Sequence, residues 1–460
     1  MRNTLIISIA TCLSLLAACT TSGGGTNGGT TTVPGQCPDP GSVAMEHSGF
    51  ITADQTWGPG LHLVTSNVNV RAGVKLTVAP CAVVRFAADQ SLVVQEDANG
   101  LVAEGTATQP IVFERAAATQ PWGAIVGYAP ATLRLAYATI SGGGTSSAPA
   151  SAEFAGAALV GRNQQDNPAD VLRVDHVTVT GATGLGVMLD SAGFIAGSTD
   201  LTVSGAGTFP IYLAAAAATR LPVGTYTGNG TDAFLLQSVG VAVYGNDEPI
   251  IHDATLPARG LPYQVGLADT KSDIRVGDSR PETPGATLTI EPGVELRFGD
   301  AGQLLVRGHL VGKDWLPQGV LVAVGTADKP IVLTSASATP APGAWRGVYF
   351  ENAVDPASAI ANVHIAYAGG DSGTTGQCVA SMGASNFDAD CAIILSLTQA
   401  PPHVFISQTR IENGHGCGIY RGWTGTMLDF APTNTFLNLT GCDQSNVHSD
   451  QDGCKTGSCQ

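Results

Sequence analysis

Residues 288–298 read LTIEPGVELRF, and the same pattern has already appeared as LTVAPCAVVRF at residues 76–86. Further along, VGTADKPIVL at 324–333 corresponds to EGTATQPIVF at 104–113. The offset between the copies grows from 212 to 220 positions, so the second copy carries eight extra residues around 311–318. Insertions confined to the segments between short apolar triplets are typical of repeat architectures. The chain is therefore predicted to contain two long copies of one structural unit.

The apolar triplets of each copy follow one another every eight to ten residues and alternate inward and outward with period two. A triplet this short is stable only if the chain winds as a coil, so that each triplet pairs in parallel with the one a turn above. Coils of about 24–27 residues would pair residue 92 with 68 and residue 111 with 84. This spacing leaves no room for the helix of a β-α-β crossover. The pattern predicts an all-β fold, a parallel β-helix or solenoid built from two long internal repeats, with these triplets in the first copy: 76–78, 84–86, 92–94, 101–103 and 111–113.

The correspondence extends to a tryptophan after each set of triplets, Trp122 in WGAIV and Trp345 in WRGVY. Together these motifs resemble the right-handed parallel β-helix repeats of bacterial surface and secreted proteins, in the broad pectin-lyase-like superfamily. The resemblance covers about residues 50–441 and implies the fold, but it hardly constrains the activity. Trp122 and Trp345 occupy equivalent places, which favours packing at a turn over a sugar-binding platform.

The N-terminus has the pattern of a bacterial lipoprotein signal. Residues 1–18 combine a charged start with an apolar run too short to span a bilayer, and LAAC at 16–19 resembles a lipobox that ends in Cys19. Residues 19–36 then form a Gly/Thr/Ser tether, which favours lipidation of Cys19 over an ordinary secretory signal. We expect a lipid anchor in the outer membrane of a bacterium, with the protein on the cell surface or the periplasmic face.

Two units and a tail are predicted beyond the tether. The first β-helix unit covers 37–240, the second covers 241–442, and 443–460 forms a Cys-containing C-terminal cap. An alanine-rich segment at 213–230 breaks the rhythm. The resemblance implies that it joins one β-helical stretch to the next, and the alternative is a short helix or a covering loop on the solenoid. Residues 37–50 are expected to cap the first coil.

The formal net charge of −16 excludes the basic footprint of a nucleic-acid-binding protein. Eight cysteines remain after Cys12 and Cys19, and an even number in an exported protein predicts disulfides. Cys378 with Cys391 and Cys417 with Cys442 are possible pairs by spacing. No Cys-x-x-Cys pair indicates zinc, so neither a metal nor another cofactor is predicted. The disulfide candidates are Cys37, Cys81, Cys378, Cys391, Cys417, Cys442, Cys454 and Cys459.

Among possible catalytic residues, His415 stands out because its Gly-His-Gly setting resembles polygalacturonases. The other carboxylate motifs of those enzymes are absent, and His415 lies over Thr183 of the first copy, which favours a turn residue. Pectate lyases bind Ca²⁺ through clustered Asp residues and abstract a proton with Arg or Lys, and the residues that come nearest to this set are Asp388, Asp390 and Arg410. The segment 448–453 only half matches a calcium loop, so it is interpreted as a disulfide-tied tail.

Two functions follow from this pattern. The favoured one is a non-catalytic lipoprotein whose β-helix presents a surface to envelope polysaccharide or to a surface protein. The alternative is a hydrolase or lyase of the pectin-lyase-like superfamily that degrades polysaccharide, with His415 at its site.

Overall fold

The structure, a computed structural model, describes residues 36–145, 156–163, 169–236, 249–267, 273–278, 284–372 and 390–447. Strands in its first half are β1 (Met45–Ile51), β2 (Gln55–Trp57), β3 (Gly60–Val70), β4 (Lys75–Val78), β5 (Ala82–Phe86), β6 (Leu92–Val94), β7 (Gly100–Glu104), β8 (Ile111–Arg115), β9 (Ile125–Tyr128), β10 (Leu133–Ser141), β11 (Leu159–Arg162), β12 (Ala169–Thr180), β13 (Val187–Asp190), β14 (Ala192–Phe194), β15 (Thr199–Ser204), β16 (Ile211–Leu213), β17 (Gly224–Thr225) and β18 (Phe234–Leu236). The second half contributes β19 (Ala254–Leu256), β20 (Tyr263–Val265), β21 (Asp273–Val276), β22 (Ala286–Ile290), β23 (Glu295–Phe298), β24 (Gln303–Val311), β25 (Asp314–Pro317), β26 (Gly319–Val324), β27 (Ile331–Ser335), β28 (Gly347–Asn352), β29 (Ala359–Ala361), β30 (Val363–Ala366), β31 (Cys391–Leu397), β32 (Ile406–Ser407), β33 (Arg410–Glu412), β34 (Cys417–Gly422) and β35 (Thr435–Leu437). Two 3-10 helices cover Ala215–Arg220 and Ala431–Thr433. In the described parts of the chain, no helix is long and apolar enough to cross a membrane.

These strands wind as a parallel β-helix, as the sequence predicts. Apart from the antiparallel pair β24–β25, each strand of the ladders pairs in parallel with the strand one coil away. Leu92 pairs with Val68 as predicted, but Val84 pairs with Phe113 rather than with residue 111. That prediction is wrong by two residues, because this coil is 29 residues long and exceeds the predicted range.

The coils stack into faces, which we name A to D. Face A comprises β2, β4, β7, the first part of β10 and of β12, β14, β19, β22, β26, β29 and β32. Face B comprises the first part of β1 and of β3, β5, β8, the second part of β10 and of β12, β15 and β17. Face C comprises the second part of β1 and of β3, β6, β9, β11, β13, β16, β18, β20, β23, β27, β30, β33 and β35. Face D comprises β21, β24, β28, β31 and β34.

The segment that breaks the sequence rhythm lies where these faces change. The 3-10 helix Ala215–Arg220 packs between β14 and β19, so it takes the place of a strand on face A. The expectation of a short helix is therefore confirmed, whereas the role of this segment as a junction between two units stays a prediction. Face B ends at β17, whereas face D begins with the bridge between Ile250 and Val276.

Equivalent strands of the two halves do not all lie on the same face. By sequence, β23 corresponds to β5, yet β5 lies on face B and β23 stacks on face C through β20 and β18. Likewise β24, the counterpart of β6, lies on face D, whereas β22 and its counterpart β4 both lie on face A. The strands equivalent to those of faces B and C are therefore displaced by one face, and those of face A are not. The right-handed winding and the two-repeat organisation stay predictions, and the predicted boundary at 240/241 lies outside the described residues.

The core is one continuous column of inward-facing apolar side chains, from Ile51 to Phe430. Equivalent aromatic stacks occur in both halves. The rings of Phe86 and Trp122 lie 4.1 Å apart, and those of Phe298 and Trp345 lie 4.5 Å apart. Both tryptophans are fully buried, so the prediction that they pack rather than bind sugar is confirmed.

Two other expectations need correction. Residues 45–50 are not a cap but part of β1, the first strand of the stack. The eight inserted residues form the outer end of a hairpin, in which β24 and β25 pair in an antiparallel manner. Its loop sits at Gly312, whose φ of +65° suits a tight turn.

Candidate functional site

The disulfide candidates are resolved in part. Cys37 pairs with Cys81, and Cys391 pairs with Cys417, with Cα atoms 5.2 and 4.5 Å apart respectively. The second bond rules out both pairs considered from spacing, because it takes one cysteine from each. Cys391 and Cys417 begin β31 and β34 in register on adjacent coils, so their sulfur atoms face each other. Cys442 is also disulfide-bonded, whereas Cys19, Cys378, Cys454 and Cys459 lie outside the described residues.

The structure places His415 on an exposed turn after β33, with its Cβ close to Gly343 and its backbone close to Gly369. Within the described residues its side chain takes part in no hydrogen bond or ion pair, whereas its backbone N–H donates to Ala368 O at 2.9 Å. This is the environment of a turn residue, as predicted from the position of His415 over Thr183 in the first copy of the repeat. It offers His415 no carboxylate that would make it a general base.

Of the residues considered for a lyase, the two that the structure describes have separate partners. Arg410 forms an ion pair with Glu412 on its own strand, and this pair raises the pKa of Arg410. Asp390 accepts a hydrogen bond from the backbone N–H of Ser372 at 2.9 Å. Asp388 and the segment 448–453 lie outside the described residues.

Strongly perturbed pKa values often mark catalytic sites, and three of the groups perturbed by burial lie on separate coils. Burial, with a coulombic contribution from His62, lowers the pKa of His47 to about 4 at the N-terminal end. Burial raises the pKa of Asp190, against the opposing effect of Arg162. Burial also raises the pKa of Tyr420 to about 12 near the C-terminal end. Each shift is explained by a local burial, so these groups do not form one site.

The outer surface of face B carries a regular array of hydroxyl groups, which sequence reasoning missed. Two columns of Ser and Thr side chains run along consecutive rungs, while the residues between them, Ile140, Val179 and Val203, point into the core. Rungs about 4.8 Å apart repeat the hydroxyl spacing along the helix axis. Thr180 and Ser204 are close enough for their hydroxyls to hydrogen-bond, at 3.4 Å. The first column is Thr139, Thr178, Thr202 and Thr225, and the second is Ser141, Thr180 and Ser204.

One edge of this array is flat because the turn after face B is a ladder of glycines. Gly142, Gly181 and Gly205 have positive φ, and the N–H of each donates to the carbonyl oxygen of the next rung at 2.9–3.1 Å. At Gly142 a Cβ would collide with the guanidinium of Arg115, which lies across the turn. The glycines themselves add no side chains to this edge, and the guanidinium of Arg115 borders the hydroxyl columns there.

The opposite edge carries side chains at the corner between faces A and B. Tyr137, His176 and Asp200 occupy the same corner on successive rungs, each with positive φ, and Asp175 precedes His176. The rings of Tyr137 and His176 stack with centroids 4.5 Å apart. Because these residues are separated by 39 and 24 positions, no fixed period in the sequence would have brought them together.

Compared with known proteins, the chain matches no family, no curated protein and no solved structure. The assignment of fold therefore stands on the strand pairing alone, and the function has to be argued from the surface of the β-helix.

Proposed function

We propose that this chain is a non-catalytic lipoprotein of a bacterial outer membrane, in the pectin-lyase-like superfamily, whose β-helix presents face B to an envelope polysaccharide. The Ser/Thr array is the observation that carries this proposal. Hydroxyl groups both donate and accept, so a repeating row of them is complementary to the repeating hydroxyls of a sugar polymer. The anchor at Cys19, with its tether, would hold this surface outside the membrane on the cell-surface or periplasmic face.

Two features favour a neutral polymer over an acidic one. The protein has a formal net charge of −16, and its exposed arginines largely form ion pairs, as Arg85 does with Glu114 and Arg134 with Glu104. The net charge would repel an anionic polymer, and Arg115, the cation that borders the array, donates a hydrogen bond to Ala118 O. A surface protein is the second kind of partner for the same face.

Among the described residues, no hydrogen bond or ion pair joins His415, Arg410 and Asp390 to one another, which supports binding without catalysis. A glycosidase requires two carboxylates across the scissile bond, and a lyase requires a base beside the substrate. In the described coils, His415 is an exposed turn residue and Arg410 is occupied by Glu412.

The experiment measures binding and cleavage together. The full-length chain in mild detergent is incubated with a panel of neutral and acidic polysaccharides, and both retention and new chain ends are recorded. The double variant Thr178→Gln and Thr202→Gln places bulk in the hydroxyl column without adding charge. Thr287→Gln and Thr289→Gln, which point outward from β22 on face A, are the matched control.

Each lost hydrogen bond is worth about 0.5–1.5 kcal/mol, so the face B variant should bind about 5–100-fold more weakly, while the control binds normally. New chain ends that disappear in His415→Ala would refute the non-catalytic proposal. Equal loss of binding in both double variants would show that face B is not the binding surface.

A further inference from the structure

We propose that His176 and Asp200, with Asp175 orienting the imidazole, form a binding site for a divalent transition-metal ion at the corner between faces A and B. One donor atom from each of these side chains lies within 4.8 Å of the others, and this is the one such group among the residues that the structure describes. The site goes beyond polysaccharide binding and does not depend on it.

The coil geometry brings the three side chains together. Asp175 pairs with Thr199 and Val177 pairs with Leu201, so His176 and Asp200 occupy the same corner of adjacent coils. Both have left-handed backbone conformations, with φ of +54° and +49°. A side chain at this corner points away from the core, and adjacent rungs are about 4.8 Å apart. The corner therefore stacks an imidazole against a carboxylate.

The hydrogen bond from His176 to Asp175 determines which ring nitrogen is available. Nδ1 of His176 lies 2.6 Å from Oδ1 of Asp175, so Nδ1 carries the proton and donates it to the carboxylate. In this tautomer Nε2 presents its lone pair on the opposite side of the ring. A histidine oriented by a carboxylate in this way is the usual arrangement of a histidine metal ligand.

The available nitrogen faces the second carboxylate across a gap that suits an ion. Nε2 of His176 and Oδ2 of Asp200 are 3.5 Å apart, which is long for a hydrogen bond. Two donors that each lie about 2.0–2.1 Å from one ion, with tetrahedral angles, are about 3.4 Å apart. The distance therefore fits two ligands of one metal better than it fits a donor and its acceptor.

The surroundings hold the ring and leave room for other ligands. The Tyr137 ring stacks on the imidazole at an interplanar angle of 12°, so the ring cannot turn freely. The side chains of His176 and Asp200 are 49% and 51% exposed, which allows water to complete the coordination shell. One imidazole with carboxylate oxygens suits Zn²⁺, Cu²⁺ or Ni²⁺ rather than Mg²⁺ or Ca²⁺, which take oxygen ligands alone.

The test is calorimetric titration of the full-length, EDTA-treated chain in detergent with ZnCl₂, repeated with CoCl₂ to obtain the visible spectrum of the bound ion. Asn tolerates the left-handed conformation, so His176→Asn removes the imidazole without straining the corner. Asp200→Asn removes the second donor. Asp175→Asn removes only the partner that orients the ring, and it should weaken binding about 10–100-fold.

His415→Asn is the matched control, because His415 is an exposed histidine without a carboxylate partner in the described region. We expect one equivalent of Zn²⁺ to bind to the unmodified chain and to His415→Asn, and none at this site in His176→Asn. Absence of binding to the unmodified chain would show that Asp175, His176 and Asp200 form only an ion-pair network. Undiminished binding to His176→Asn, with circular dichroism unchanged, would place the ion elsewhere and overturn the proposal.

Discussion

The bond between Cys391 and Cys417 should determine the stability of the last coils and of little else. It closes a loop with a sequence separation of 26 residues. In the chain-entropy treatment, closing a loop of this length stabilises the folded state by about 3.5 kcal/mol at 25 °C. Each coil of a solenoid contacts only its neighbours, so this stabilisation acts mainly on the coils that contain β31 and β34.

The perturbation is the double variant Cys391→Ala and Cys417→Ala, which leaves no unpaired thiol at either position. Hydrogen exchange read by mass spectrometry reports local opening along the chain. A loss of about 3.5 kcal/mol should accelerate exchange in β31, β34 and β35 by about 300-fold where exchange occurs through local opening. The strands of the first half should exchange at the rate of the unmodified protein.

Cys37 and Cys81 provide the matched control at the other end. Their bond has a sequence separation of 44 residues, which corresponds to about 4 kcal/mol. Replacing both by Ala should accelerate exchange in β1, β3 and β5 and leave β31 and β34 protected. If either double variant accelerated exchange uniformly along the chain, the assumption that each coil responds only to its neighbours would be refuted.

Three further substitutions or conditions test single features of the fold. Burial lowers the pKa of His47 to about 4, so the folded state favours the neutral ring. The contribution of His47 to the free energy of unfolding should therefore be complete above pH 6.5 and should fall by about 1–2 kcal/mol towards pH 4, a range that allows for its half-exposed position. Hydrogen exchange in β1 measures this loss. Arg162→Met should destabilise the first half by about 3–5 kcal/mol in denaturant unfolding because it leaves the buried carboxylate of Asp190 without its cation, whereas Arg162→Met with Asp190→Leu should recover most of the loss. Gly100→Ala should lower the free energy of unfolding by at least about 2 kcal/mol, since φ is +106° and the new Cβ would lie 2.6 Å from a backbone oxygen. Gly73→Ala, at φ +71° in open space, should lower it by only about 1–2 kcal/mol in the same denaturant unfolding experiment.

The parts of the fold that depend on local alternation could be predicted from the sequence. The alternation within each apolar triplet predicts which side chains are buried, and β5 accordingly alternates between buried and half-buried positions. The stacked pairs of Phe86 with Trp122 and of Phe298 with Trp345 follow from equivalent positions in the two copies. These features can be predicted without knowing which coils are neighbours in the stack.

The parts that depend on coil length could not be predicted. Leu133 pairs with Leu172, 39 residues away, whereas Val177 pairs with Leu201, only 24 residues away. Because the coil length varies, the sequence does not show which residues occupy the same corner on adjacent coils. Neither the metal-binding corner nor the register of Cys391 with Cys417 could therefore be predicted from it. The displacement of the strands equivalent to those of faces B and C was hidden for the same reason, since the segment Ala215–Arg220 has no alternation to place it.

That displacement limits the length of polymer that face B can bind. The hydroxyl columns run over β10, β12, β15 and β17, and face B ends there because the second half continues on faces A, C and D. Four rungs at a spacing of about 4.8 Å span about 15 Å.

If face B is the polysaccharide surface, affinity should rise with oligosaccharide length until the sugar spans this distance and should then level off. Calorimetry with a size series of the bound polysaccharide measures this directly, and Thr287→Gln with Thr289→Gln should show the same plateau. A continued rise in affinity for chains several times longer would mean that the ligand follows face C, which runs through both halves from β1 to β35, because that face alone continues without interruption in the described coils.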